Sequence, residues 1–315
     1  MKRQHKYLSS ISCFAAVGIL LLLCGSVTGL KAQDTSAKSK DTTAAAPEVK
    51  KKSYAKNTFE GNYLIDNQTV MVPIKGTFEF AIQHRFGTVE HKFTDLFGLF
   101  ATATMRLGFS YTPIKDLQVG FGATNERMQV DWNLKYAIIK QTRDNAMPVS
   151  ITYYGNVAMD TRKKDNTTLF VTTSDRFSYF NQIIIAHKFS EALSLQVSPS
   201  MSHFNNLLGY TDNEGVVHPI YKNDSFSMSA SGRFAISPKT AIIGNYDQPL
   251  TQHPANNPHP NLSIGLEMKS SGHDFEVFIG NYSSLIPQNN NLYNQNDFTK
   301  SQFLIGFNIT RLWNF

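Results

Sequence analysis

From residue 76 to the C-terminus, apolar side chains fall on every second position, and the pattern restarts in segment after segment. Phe78, Phe80 and Ile82 share one parity, with Glu79, Ala81 and Gln83 on the other. Phe97, Leu99, Ala101, Ala103, Met105, Leu107, Phe109 and Tyr111 stand opposite Arg106, Gly108 and Ser110. The same alternation returns at Leu117–Val119–Phe121, Val130–Trp132–Leu134–Tyr136, and Val149–Ile151–Tyr153. It continues at Leu193–Leu195–Val197, Phe226–Met228–Ala230, Leu262–Ile264–Leu266, Phe275–Val277–Ile279 and Phe303–Ile305–Phe307–Ile309. Period two is the signature of a strand with one apolar face, and a slip of one residue would move the whole set to the other face. Residues 176–189 also read as a strand, but with mixed parity, and residues 240–247 form a shorter, ambiguous one.

These segments predict about 12 strands, an even number, most with the roughly 9–11 residues that a tilted strand needs to cross a bilayer. The connections alternate between short turns, such as residues 112–116 and 270–272, and long polar links, such as 205–224 and 283–300. Short periplasmic turns and long outer loops show that asymmetry. A soluble sandwich would share the alternation. The membrane reading is favoured by aromatic residues near strand ends (Tyr111, Tyr136, Tyr246, Trp313), which suit headgroup level, and by the terminal Phe315. Phe307, Ile309, Trp313 and Phe315 form an alternating pattern that resembles the outer-membrane assembly signal, with Arg311 as a departure. The expected architecture is an all-β, antiparallel transmembrane barrel over residues 76–315. Closure of the first strand on the last removes the edges that lipid could not satisfy.

The region before residue 76 reads differently. Lys2, Arg3 and Lys6 precede the apolar run 11–23, and small residues follow up to Ala32, the layout of a cleaved secretory signal. Residues 33–75 are expected to be a disordered periplasmic tail. Their first part is poor in apolar residues and rich in Lys, Ala, Thr and Ser, while 57–75 is transitional. Removing residues 1–32 takes four of the 30 basic residues and none of the 24 acids, so the processed chain is close to neutral. The basic balance therefore argues for no nucleic-acid partner. Cys13 and Cys24 leave with the signal, so disulfides and cysteine-ligated metals are excluded.

Several stretches resemble a Bacteroidota outer-membrane β-barrel family known only as a domain of unknown function. They are His84-Arg85-Phe86-Gly87, Asp95-Leu96-Phe97-Gly98-Leu99, Lys135-Tyr136 with Gln141-Thr142, and Pro148-Val149-Ser150-Ile151. Gly272-His273-Asp274-Phe275, Asn281 and Gly306-Phe307-Asn308-Ile309-Thr310-Arg311 complete the set. The resemblance implies a barrel in the outer membrane and supplies no activity or functional residues.

Candidate chemistry lies on the polar face: Glu79, Arg106, Asp131, Lys135, Arg233, Glu267, Asp274 and Glu276 are predicted to face the lumen. They could line a passage for a small solute or pair with one another to fill a narrow interior. His253-Pro254 and His259-Pro260 lack a third ligand at metal-binding spacing, so no metal or other cofactor is expected. His187 with Ser190, and Ser202 beside His203, are the nearest Ser–His pairs. Neither has a placed third member, and Ser202 and His203 point to opposite faces of one strand. The expected function is a passive channel or transport protein for a small solute, not an enzyme. The second reading is a structural or partner-binding barrel with a filled lumen, and a barrel hydrolase is the weakest. Expected partners are outer-membrane lipid, the barrel assembly machinery and a small solute.

Overall fold

A computed structural model describes residues 53–55, 57–164 and 170–315. The signal segment 1–32, and residues 33–52 of the expected tail, lie outside the described residues. The chain forms β1 (Tyr63–Leu64), β2 (Asn67–Gln68), β3 (Thr77–Thr88), β4 (Thr104–Ile114), β5 (Leu117–Thr124), β6 (Gln129–Ile139) and β7 (Ser150–Asp160). There follow β8 (Phe177–Lys188), β9 (Leu193–Phe204), β10 (Gly209–Thr211), β11 (Val217–Pro219) and β12 (Asp224–Ser237). The last elements are β13 (Thr240–Pro249), β14 (Asn261–Ser270), β15 (His273–Gly280), α1 (Pro287–Tyr293) and β16 (Leu304–Asn314). Among the described residues, twelve of these strands close into one barrel, in which β16 pairs with β3 and β9 with β12 across the loop holding β10 and β11. Every neighbouring pair is antiparallel; the seam sets Trp313 against Phe78 and Ile309 against Ile82.

The parity expected from sequence decides which face meets lipid. Phe109, Phe121, Trp132, Val197, Phe226, Ile264 and Val277 are exposed around the outside. On a closed barrel such a belt is the bilayer contact. Arg311 falls on this outer face near the end of β16. Its guanidinium lies 5.0 Å from the Trp313 ring centre and donates to His273 Nε2 at 2.7 Å, so the charge is held at the rim. Ile264→Lys is expected to cost about 2–4 kcal/mol of barrel stability, the penalty for lysine near the bilayer midplane. The measurement is the fraction of heat-modifiable, folded barrel on a gel, and a wild-type fraction would refute the assignment of faces.

Three features depart from the sequence reading. First, β4 begins at Thr104, so Phe97, Leu99, Ala101 and Ala103 belong to a loop. Leu96, Phe97 and Gly98 all take positive φ, a backbone no strand tolerates, and Gly98 returns its carbonyl to the Gly87 N–H at 3.1 Å. Alternation continued into this loop without any strand to support it.

Second, residues 58–73 are not a disordered tail. They enter the lumen as a plug, with β1 and β2 as a small hairpin at its tip. Phe59, Leu64, Ile65 and Val70 are buried against Tyr154, Phe180, Ile184, Ile243, Phe278 and Tyr282. This contact explains the mixed parity of β8 and β13. Phe180, Ile184, Ala186 and Ile243 point inward because an apolar plug covers them. A run too short to bury its own apolar residues orders once it has this patch to pack on.

Third, the outer loop 281–303 folds inward and carries α1. Gln288, Asn289, Asn290, Asn291 and Leu292 of this short helix are all buried. The lumen is therefore occupied from both ends.

Candidate functional site

The plug enters and leaves by one end of the barrel. Ser53–Ala55 lies along the turn between β6 and β7, where Ala55 N–H donates to the Gln141 carbonyl at 2.8 Å and Arg143 N–H to the Ser53 carbonyl at 2.9 Å. After the hairpin the chain returns to the same end, where Gly76 N–H donates to the Thr112 carbonyl at 2.8 Å and β3 begins. Every hydrogen bond between residues 58–73 and the wall, among the described residues, uses a wall side chain. Thr152 Oγ1 donates to the Val70 carbonyl at 2.9 Å, Gln196 Nε2 to that of Gln68 at 2.8 Å, and Asn308 Nδ2 to that of Ile65 at 2.6 Å. No main-chain ladder joins plug to barrel.

All eight residues expected on the inner face stand on inward positions, and the fold gathers them into three groups. In the first, Arg106 forks onto Asp131, with Nε to Oδ1 at 2.8 Å and Nη2 to Oδ2 at 2.7 Å, while Nη1 donates to Gln83 at 3.1 Å. Gly108 leaves room for this guanidinium: a Cβ there would stand 2.8 Å from Nη1. Asn156 Nδ2 donates to Asp131 at 2.8 Å, and Gln288 of α1 donates in turn to Asn156 at 3.2 Å.

In the second group, Lys135 Nζ donates to the carbonyls of Asn62 and Met71, both at 3.1 Å, clasping the two limbs of the plug. Glu79 accepts from Gln118 Nε2 at 2.9 Å and from the Asn62 side chain. The third group crowds like charges. Glu267 and Glu276 face each other directly across β14 and β15, an arrangement that alone would destabilise the sheet. Arg233 Nε donates to Glu267 at 2.5 Å, and the plug's Ile65 N–H donates to both oxygens of Glu276 at 3.2 Å. Glu60 of the plug pairs with Lys269, and the half-buried Asp274 lines a cavity of about 130 Å³ between plug and wall at this end.

Sequence reasoning missed Arg85, Asp247 and the plug's own Asp66 and Glu60. Arg85 is fully buried. It pairs with Asp66, donates to Asn308 Oδ1 at 2.9 Å and lies 4.4 Å from the Phe278 ring centre. The signal was present, since Arg85 continues the inward parity of Glu79, Ala81 and Gln83. Asp247 accepts from the plug's Asn67 at 2.7 Å.

In the histidine loop, His253 packs against its neighbours. His253 is buried edge-on to Tyr221, and its Nδ1 accepts from Lys222 N–H at 3.0 Å. Burial, helped by Lys222, pushes its pKa below the ordinary imidazole value, which keeps the ring neutral. The Ser–His pairs come apart, the second of them as its strand parity implies. Ser202 faces inward, while His203 faces out and meets Asp224 at 2.7 Å. The Ser190 hydroxyl accepts from two backbone N–H groups of its own turn, and His187 Nδ1 contacts the Pro148 carbonyl.

Residues 59–313 match the family model described as a membrane-bound beta barrel domain, DUF5777. The chain belongs to this family. The match begins inside the plug, so the plug is part of the DUF5777 domain and not a leader to it. No sequence among curated proteins matches the chain. Among solved structures, the DUF5777 barrel is similar to the NanC porin, at 9% identity and a TM-score of 0.45 over 76% of this chain and 99% of that one. It is similar to the KdgM porin, at 8% and 0.42 over 76% and 99%. A third is the COG4313 outer membrane channel from Pseudomonas putida F1, at 10% and 0.44 over 77% and 97%. The closed, lipid-belted DUF5777 barrel is a protein of the bacterial outer membrane.

Proposed function

We propose that the protein is a passive outer-membrane channel for a small polar solute, held shut from the periplasmic end by residues 58–73 and from the outer end by the loop bearing α1. One observation carries the reading: the plug is a hairpin whose two ends share one rim and which shares no ladder bond with the wall. It can withdraw without opening the barrel. The wall side chains that hydrogen-bond it are polar or charged, and water or solute can satisfy them in its place. A barrel built only as a filled scaffold would gain by replacing these buried ion pairs with apolar packing.

The resemblance to a Bacteroidota family supports an origin in such a bacterium. The alternation Phe307, Ile309, Trp313 and Phe315 on the terminal strand supports delivery by the barrel assembly machinery into lipid. Conductance in a planar bilayer tests the channel. The full chain is expected to be mostly closed with brief openings. A barrel starting at Gly76 and lacking residues 285–298 is expected to conduct steadily. A doubly trimmed protein that folds, as heat-modifiable migration reports, but stays silent would overturn the channel and leave the filled scaffold.

A further inference from the structure

Between β9 and β12 the register sets Ser198 against Ser229, Ser200 against Ser227 and Ser202 against Ser225, all six pointing inward. The hydroxyls of Ser202, Ser225 and Ser227 are buried and make no hydrogen bond among the described residues. Over them lies α1, which packs on β8, β9, β12 and β13. Two of its amide oxygens, Gln288 Oε1 and Asn289 Oδ1, are fully buried and equally unpaired. Unmet buried polar groups are costly. Alanine would seat the helix in the same space without that cost. Hydroxyls at this seat therefore answer to another occupant, one that reaches them when the loop 281–303 leaves the lumen.

We infer that this serine ladder is a binding track for a neutral, polyhydroxylated solute of the saccharide class. The inference rests on the channel reading above. The inward residues of β8 from Ser178 to Ala186 and of β9 from Ser194 to Phe204 include no ionisable side chain, so this arc offers a charged solute no counter-charge. The nearest inward charge, Asp247 on β13, is held by Asn67 and Ser229. An apolar solute would leave the hydroxyls unpaired. A sugar hydroxyl both donates and accepts, as serine does. The inward column of β9 runs from Ser202 to Phe204. There, Tyr293 of α1 lies 5.6 Å from Phe204, and Tyr221 lies 5.3 Å from Tyr293. Aromatic faces at the outer end of a hydroxyl track suit the C–H face of a sugar ring.

The test uses the full processed chain in liposomes and compares osmotic entry of glucose, glucuronate and glucosamine, three rings of one size and three charges. Glucose is expected to enter about tenfold faster than either charged sugar, on the scale set by unmet polar groups. Ser202→Ala/Ser225→Ala/Ser227→Ala, which keeps the packing, is expected to lower glucose entry about tenfold relative to the potassium chloride conductance of the same variant. A second triple variant with valine at the same three positions should show the same loss. Equal entry of the three sugars, or unaltered glucose entry in the alanine variant, would overturn the track and leave the channel standing. If neither ions nor sugars pass through this chain or through the doubly trimmed barrel, the channel reading fails and the track fails with it.

Discussion

Oxidation of a Gly61→Cys/Asp274→Cys double variant is expected to silence the barrel, and reduction to restore its openings. The pair is chosen on geometry. A Cβ built on Gly61 lies 2.6 Å from Asp274 Oδ2 and 3.7 Å from its Cγ, so the plug backbone passes directly over this wall residue. Gly61→Cys alone would press on the carboxylate. Replacing that carboxylate with the second cysteine removes the clash and leaves two thiols within reach of the short Cβ–Cβ span of a disulfide. The only native cysteines, Cys13 and Cys24, lie in the expected signal segment. The bond therefore has no competitor in the processed chain. Because both ends of the plug sit at one rim, a single tether at residue 61 holds the first limb in the lumen. Openings that require withdrawal then stop, while the barrel ladder is untouched. The single variants, treated with the same oxidant, are the controls. If mass spectrometry confirms the bond and single-channel openings persist at the wild-type rate, the plug is not the barrier.

How much of this was legible beforehand follows from what each residue meets. Lipid is uniform, so outward residues such as Phe109, Ile264 and Phe307 obey a simple rule, and the strands, their faces and their number could be read from alternation. The lumen is not uniform. Where water or paired charge fills it, as around Arg106 and Asp131, the inner face is polar and the rule holds. Where the plug packs, Phe180, Ile184 and Ile243 turn the inner face apolar and the alternation of β8 and β13 blurs. That blur was the trace of the plug: inward apolar residues need a partner, and the only unassigned segment with clustered apolar residues was 57–75. The inward turn of α1 left less trace. Its side-chain amides look like those of any exposed outer loop, and the burial of Gln288 and Asn289 depends on partners such as Asn156, Ser178 and Gln129, far away in the chain. The left-handed residues Leu96 and Phe97 were equally hidden, since neither residue type favours that backbone.

Arg85→Met is expected to release the plug rather than unfold the barrel. Among the described residues, Arg85 is the wall cation that combines an ion pair to the plug, a hydrogen bond to the wall at Asn308 and a ring contact with Phe278. Methionine keeps most of the length and apolar stem, so the contact with Phe278 survives. Asp66 does not fare as well. Its carboxylate is left in the lumen with Arg85 gone, and removing one partner of a buried pair costs about 3–5 kcal/mol. That cost falls on the docked state alone, because in the withdrawn state Asp66 reaches water. At about 1.4 kcal/mol per factor of ten, the ratio of docked to withdrawn plug drops by about two to three and a half orders of magnitude. Single-channel recording should register this as a large rise in open probability, with the temperature of barrel unfolding little changed. Asp66→Asn added to Arg85→Met removes the stranded charge and is expected to recover much of the closure, which separates charge from packing. If Arg85→Met instead lowers the unfolding temperature and leaves open probability where it was, Arg85 braces the wall, and the hold on the plug lies with Lys135 and Glu276.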